Sequence, residues 1–152
     1  MYLLTTTGLF TIVLVLLAAS AFGLWRKRTD GVMRAREPEA VGAAADALSA
    51  PALGGPLGAR ATLVQFSSAF CAPCRTTRVV LAKVAEDVEG DAHYDLDAES
   101  HLELVRTLGI MRTPTTIVLD ASGRETARAG GVPRREQVLA AVSTATPAAS
   151  AN

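Results

Sequence analysis

The chain has 152 residues, 15 basic and 15 acidic side chains and 5% aromatics, so no basic face speaks for nucleic acid and no acidic tail for a basic partner. Regular patterning covers only part of that length, which leaves room for one domain of modest size. The two cysteines lie in one short motif, and a pair so close closes too small a loop to act as a disulfide framework.

From Met1 to Trp25 no charged side chain occurs, and Leu, Ile, Val and Phe dominate. About 20 apolar residues rising about 1.5 Å each cover a hydrocarbon core of roughly 30 Å. Tyr2 and Trp25 stand near the two ends, where amphipathic rings favour the headgroup region. A core helix of a soluble domain is the alternative, and the lack of any polar face speaks against it. Ala19-Ser20-Ala21 has the small side chains of a cleavage site, but a secretory signal carries its positive charge ahead of the apolar run. Here Arg26, Lys27 and Arg28 follow it, with Arg34 and Arg36 close behind. Because such flanks stay inside, the expectation is one uncleaved span over residues 1–25 in the lipid bilayer of the cell membrane, with the C-terminal domain cytoplasmic.

Residues 26–58 read as a basic flank and an Ala/Gly/Pro-rich tether. Glu39 to Leu48 has the alanines of a short helix, weakened by Gly42, and Pro51, Gly54, Gly55 and Pro56 break any continuation. A domain is expected over residues 59–145. Its first element, "ATLVQF" from Ala61, is an apolar run suited to the middle of a sheet. A helix follows from Pro73 to about Val88, with Val80, Leu81, Val84 and Val88 on one face and Pro in the first turn, where its missing N–H is not needed. Next come a strand around Ala92 to Leu96 and a helix from about Glu99 to Leu108, capped by Asp97 and stopped by Gly109. Thr115 to Leu119 is a strand by its β-branched content, and Asp120 to Gly123 turns it into an antiparallel partner, Arg124 to Ala129. A last amphipathic helix runs from about Arg134 to Val142, and residues 146–152 read as a disordered tail. The order β, α, β, α, β, β, α builds one mixed sheet with helices on its faces.

Cys71 and Cys74 sit where the first strand turns into the first helix. Unpaired backbone N–H groups and the macrodipole favour negative charge there, and such placement draws a thiol from about 8.5 toward roughly 3.5 to 7.5. Cys71 is therefore expected to attack, and Cys74, one turn further in, to resolve the mixed disulfide. Zinc would need four ligands, and His93 and His101 are the other candidates. Their spacing exceeds the usual three to five or so, and they fall on different elements, so no metal is expected. Two inert buried cysteines are the remaining alternative.

Ala61 to about Val142 resembles the thioredoxin family, with "FCAPC" similar to its W-C-G-P-C and "RTPT" similar to the loop before its cis-proline. The resemblance implies a thioredoxin-like three-layer α/β/α domain with a mixed central sheet, here preceded by a single transmembrane helix. It further implies a redox-active Cys71–Cys74 disulfide and no other cofactor. Phe70, Pro73, Thr113 and a cis Pro114 would meet the substrate chain. Phe70 stands where the family has Trp, and Ala72 where it often has Gly. Gln65, six residues before Cys71, occupies the place of a buried acid that manages the proton of the second cysteine. Gln cannot titrate, and His93, near the position of a family lysine, is expected to take over proton handling. Val79 stands near the place of the family's kinking Pro, and Gly130-Gly131 resembles a groove-lining glycine.

On the cytoplasmic side, where thiols are kept reduced, such a dithiol would chiefly reduce disulfides or oxidised thiols of client proteins, recharged by an upstream electron donor. Outside the membrane the same residues would serve cytochrome maturation or disulfide editing, as tethered members of the superfamily do. A non-catalytic interaction module that keeps the fold is the reading from another class.

Overall fold

A computed structural model describes residues 2–35 and 47–146 of the chain. They form two units, Met1–Asp30 and Gly31–Asn152.

The first unit is helix α1, Tyr2–Thr29. Its segment Gly8–Arg26 is 19 residues long and predominantly apolar, with none of it buried, which meets the length and composition of a membrane span and of a signal sequence alike. Thr29 closes the last turn by donating its hydroxyl to the carbonyls of Trp25 and Arg26. The side chain of Tyr2 lies outside the described residues.

The second unit is built on a sheet of five strands: β1 Arg34–Ala35, β2 Ala61–Ser67, β3 Asp91–Asp97, β4 Thr115–Asp120 and β5 Glu125–Gly130, in the order β1-β5-β4-β2-β3. β2 runs parallel to β3 and antiparallel to β4, and β5 is antiparallel to both β4 and β1, so the sheet is mixed as expected. Every residue of β2 and β4 is buried, because strands in the middle of a sheet are covered on both faces. On one face lie α3, Ala72–Asp87, and α5, Arg135–Ala145, over a core that includes Leu63, Leu81, Val84, Val118 and Val138. On the other, α4, Leu102–Thr107, and the segment around α2, Ala50–Leu53, cover Val64, Phe66, Leu96, Ile117 and Leu119. Full burial of each such side chain contributes about 1.5–3 kcal/mol. The three-layer α/β/α arrangement is the one the sequence implies.

Three local expectations need correction. The stretch read as a tether supplies β1, α2 and the core residues Leu48 and Leu53, because its few large apolar side chains find a sheet face with room for them. Its middle, residues 36–46, and with it most of the helix expected from Glu39, lies outside the described residues, as does the tail from residue 147. Helix α4 starts at Leu102, with His101 as N-cap, and not at Glu99. Asp97 spends its carboxylate on a tight turn, accepting from the backbone N–H of Glu99 and the hydroxyl of Ser100, and so does not cap the helix. Gly109, in a left-handed conformation at φ 61°, ends α4 as expected.

One irregularity has a consequence for packing. Val118 pairs with Ala127 but Leu119 with Glu125, so Thr126 is an extra residue in β5. In a regular strand Glu125 and Arg128 would point to opposite faces. The bulge brings them to the same face, where Arg128 holds the buried Glu125 carboxylate with two N–H donors at 2.7 and 2.8 Å. Arg128 Nη1 also donates to the Leu108 carbonyl at the end of α4, at 2.7 Å.

Candidate active site

β2 ends at Ser67, and the chain turns through Ser68, Ala69 and Phe70 into α3 with Cys71 as its N-cap. The Cys71 sulfur accepts the backbone N–H of Cys74 at 3.1 Å, the place an N-cap side chain takes against the unpaired donors of a first turn. Pro73, inside that turn, has no N–H to strand. Cys71 and Cys74 are bonded to each other, with their Cα atoms 5.2 Å apart. Cys74 is 2% exposed, whereas Cys71 is only partly covered. An incoming sulfur therefore reaches Cys71 first.

Gln65 is fully buried beneath the pair. Its amide nitrogen donates to the Cys74 carbonyl at 2.9 Å and to the Ser67 hydroxyl at 3.0 Å, while its Oε1 and the Thr116 hydroxyl, opposite it in β4, are buried with no hydrogen-bond partner. Ser67 in turn donates to Asp95 Oδ1, and Arg78 of α3 pairs with Asp95 Oδ2. The expected partnership of Gln65 with His93 is not what the strands place together. The parallel register sets Gln65 beside Asp95 and His93 beside Leu63, one pair further from the cysteines. The His93 Nε2 is buried without a hydrogen-bond partner. Burial pushes its imidazole below the ordinary value, Asp95 acting in the opposite direction and Arg78 in the same one.

Asp95, Ser67 and Arg78 are the site residues that sequence reasoning missed. A signal for them was present: period-two alternation puts residues 63, 65 and 67 of β2 and 93, 95 and 97 of β3 on one face, and reading the two strands in parallel register puts Asp95 next to Gln65. A cleft of about 350 Å³ opens there, lined by Ser67, Cys71, Cys74, Arg78 and Asp95 among others. It exists because the residues that leave β2, Ser67 to Ala69, are all small.

On another side of the pair, the Thr113–Pro114 bond is cis. Thr113 meets the motif directly, its hydroxyl lying 3.2 Å from that of Ser68. The Pro114 carbonyl accepts the N–H of Gly131 at 2.7 Å. The Gly130 carbonyl accepts from the Arg112 guanidinium and, at 2.8 Å, from the N–H of Gly31. Phe70 and Met111 are exposed beside these two loops. Chemically, the arrangement offers a reversible disulfide at a helix N-terminus, one accessible sulfur, one buried sulfur and a polar cleft leading to both.

The thioredoxin family model matches residues 57–144. An NADPH-dependent thioredoxin reductase 3 from Arabidopsis thaliana is 39% identical over 56 residues, which are 36% of this chain. The matched stretch spans 11% of that relative's length. Among solved structures, a thioredoxin variant from Halobacterium salinarum is similar at a TM-score of 0.54 and 19% identity, over 59% of this chain and 77% of that one. Fasciola hepatica thioredoxin is similar at a TM-score of 0.51 and 18% identity, over 59% and 84% of the two chains.

Proposed function

Because the chain belongs to the thioredoxin family, we propose that it is a membrane-tethered thiol-disulfide oxidoreductase that reduces disulfides or oxidised thiols of client proteins on the cytoplasmic side. The observation that carries the redox chemistry is the bonded Cys71–Cys74 pair at the start of α3, with Cys71 accessible and Cys74 covered. In the reduced state, the Cys71 thiolate attacks a client disulfide, the first client sulfur leaves as a thiolate, and a mixed disulfide forms. Cys74 then displaces the second client sulfur and restores the internal bond. Phe70, Pro73, Thr113 and Pro114 border the pair and form the surface that receives the client chain. An upstream dithiol or other electron donor recharges the pair. The tether rests on α1, which is long and apolar enough to span, and the sidedness on the arginines that follow it.

The test uses the full chain in detergent micelles, reducing insulin at the expense of dithiothreitol. Turnover should be lost in Cys71→Ser. Cys74→Ser should accumulate a client mixed disulfide, and Cys71→Ser should accumulate none. Equal rates for the wild type and Cys71→Ser, or capture that depends on Cys74, would overturn the proposal.

A further inference from the structure

Disulfide exchange at this site must move a proton on and off Cys74, a sulfur almost closed to bulk water. Gln65, directly beneath it, has no proton to exchange, and both N–H bonds of its amide are already directed at the Cys74 carbonyl and at Ser67. The donor chain runs one way, from Gln65 to Ser67 and from Ser67 to Asp95, and ends on a carboxylate. That carboxylate lines the same cleft as both cysteines, and its side chain is 19% exposed. Resting on the redox reading above, we propose that Asp95 receives the proton of Cys74 in the resolving step, so that the acid of this site is carried on β3 while Gln65 of β2 only positions it.

In the mixed disulfide, Cys71 Sγ is bonded to a client sulfur and Cys74 is a thiol. Cys74 gives its proton across the cleft to a carboxylate oxygen of Asp95, and its sulfur forms the bond to Cys71 Sγ. The bond from Cys71 to the client sulfur breaks, and that sulfur leaves with the electron pair and takes a proton from solvent. Over both steps the client disulfide gains two electrons and the dithiol loses two. Asp95 then releases its proton to water in the open cleft.

Arg78 explains how the cleft tolerates the transfer. It lies four residues after Cys74 on α3, hence on the same helix face, and it already pairs with Asp95. When the proton crosses, negative charge moves from one group lining the cleft to another, and the net charge of the cleft is unchanged. The other charged or titratable groups around Asp95 are Arg75 from α3 and His93 and Asp97 from β3 itself, and β2 presents only the uncharged Gln65 and Ser67. His93, held neutral by burial, adds no competing cation near neutral pH.

The experiment mixes the reduced full chain in micelles with an aromatic disulfide that releases a coloured thiolate twice, once when Cys71 attacks and once when Cys74 resolves. In Asp95→Asn the rate of the second release relative to the first should fall at least about tenfold at neutral pH, a modest general-base effect. The deficit should narrow as pH rises into the alkaline range, where hydroxide takes over removal of the thiol proton. Asp95→Glu should restore most of the rate, and Arg78→Gln, which keeps the carboxylate, should retain the pH dependence. An unchanged ratio in Asp95→Asn, a deficit equal at every pH, or no recovery in Asp95→Glu would overturn the role of Asp95. Loss of the first release in the wild type itself would instead sink the redox reading.

Discussion

Replacing Arg128 by Ala tests how the bulged strand β5 is held to the end of α4. The Glu125 side chain is 0% exposed and that of Arg128 17%, so the pair sits in a region of low effective dielectric. Arg128→Ala takes both nitrogens from the Glu125 carboxylate and removes the donor that meets the Leu108 carbonyl. Removing one partner of a buried pair costs about 3–5 kcal/mol, because the carboxylate loses two charge-assisted hydrogen bonds that water does not replace in the interior. With a urea dependence of about 1.5 kcal/mol per M, the unfolding midpoint should fall by about 2–3 M. Urea titration of the full chain in micelles, followed by circular dichroism, reads this directly. The double variant Glu125→Gln with Arg128→Met removes both charges together and should lose less than half as much. A shift below about 0.5 M for Arg128→Ala, or a double variant as damaged as the single one, would refute the account of a desolvated pair created by the bulge.

Two further outcomes are expected. His93 has a folded pKa below its unfolded value of about 6.5, so the unfolded chain binds more protons once the pH drops below that value, and stability should decline as pH falls from there toward the folded pKa. His93→Gln should flatten that decline in urea titrations between about pH 6.5 and 5, and an unchanged slope would contradict the burial of the ring. For sidedness, a membrane-impermeant thiol reagent applied to intact, reduced cells should leave Cys71 unlabelled until lysis, and strong labelling before lysis would place the domain outside.

Much of this protein can be read along the chain, because the signals are local. The apolar run of α1, the apolar and β-branched runs of β2 and β4, the proline in the first turn of α3 and Gly109 after α4 each act within a few residues, and those elements lie close to where their patterns stand, the start of α4 excepted. The cysteine motif is legible for the same reason, since a helix N-terminus and the sulfur it favours are neighbours in sequence. Leu48 and Leu53 were hidden in an alanine-rich stretch, where two large side chains make no period and only the sheet face they cover reveals their role. Gln65, Ser67, Asp95 and Arg78 come from two strands and a helix, and their meeting depends on which strand lies beside which and in what register. Hydrogen bonds and ion pairs fall off within a few ångströms. A one-dimensional pattern can set His93 near Gln65, but only the register of the packed sheet shows that Asp95 is the residue paired with it.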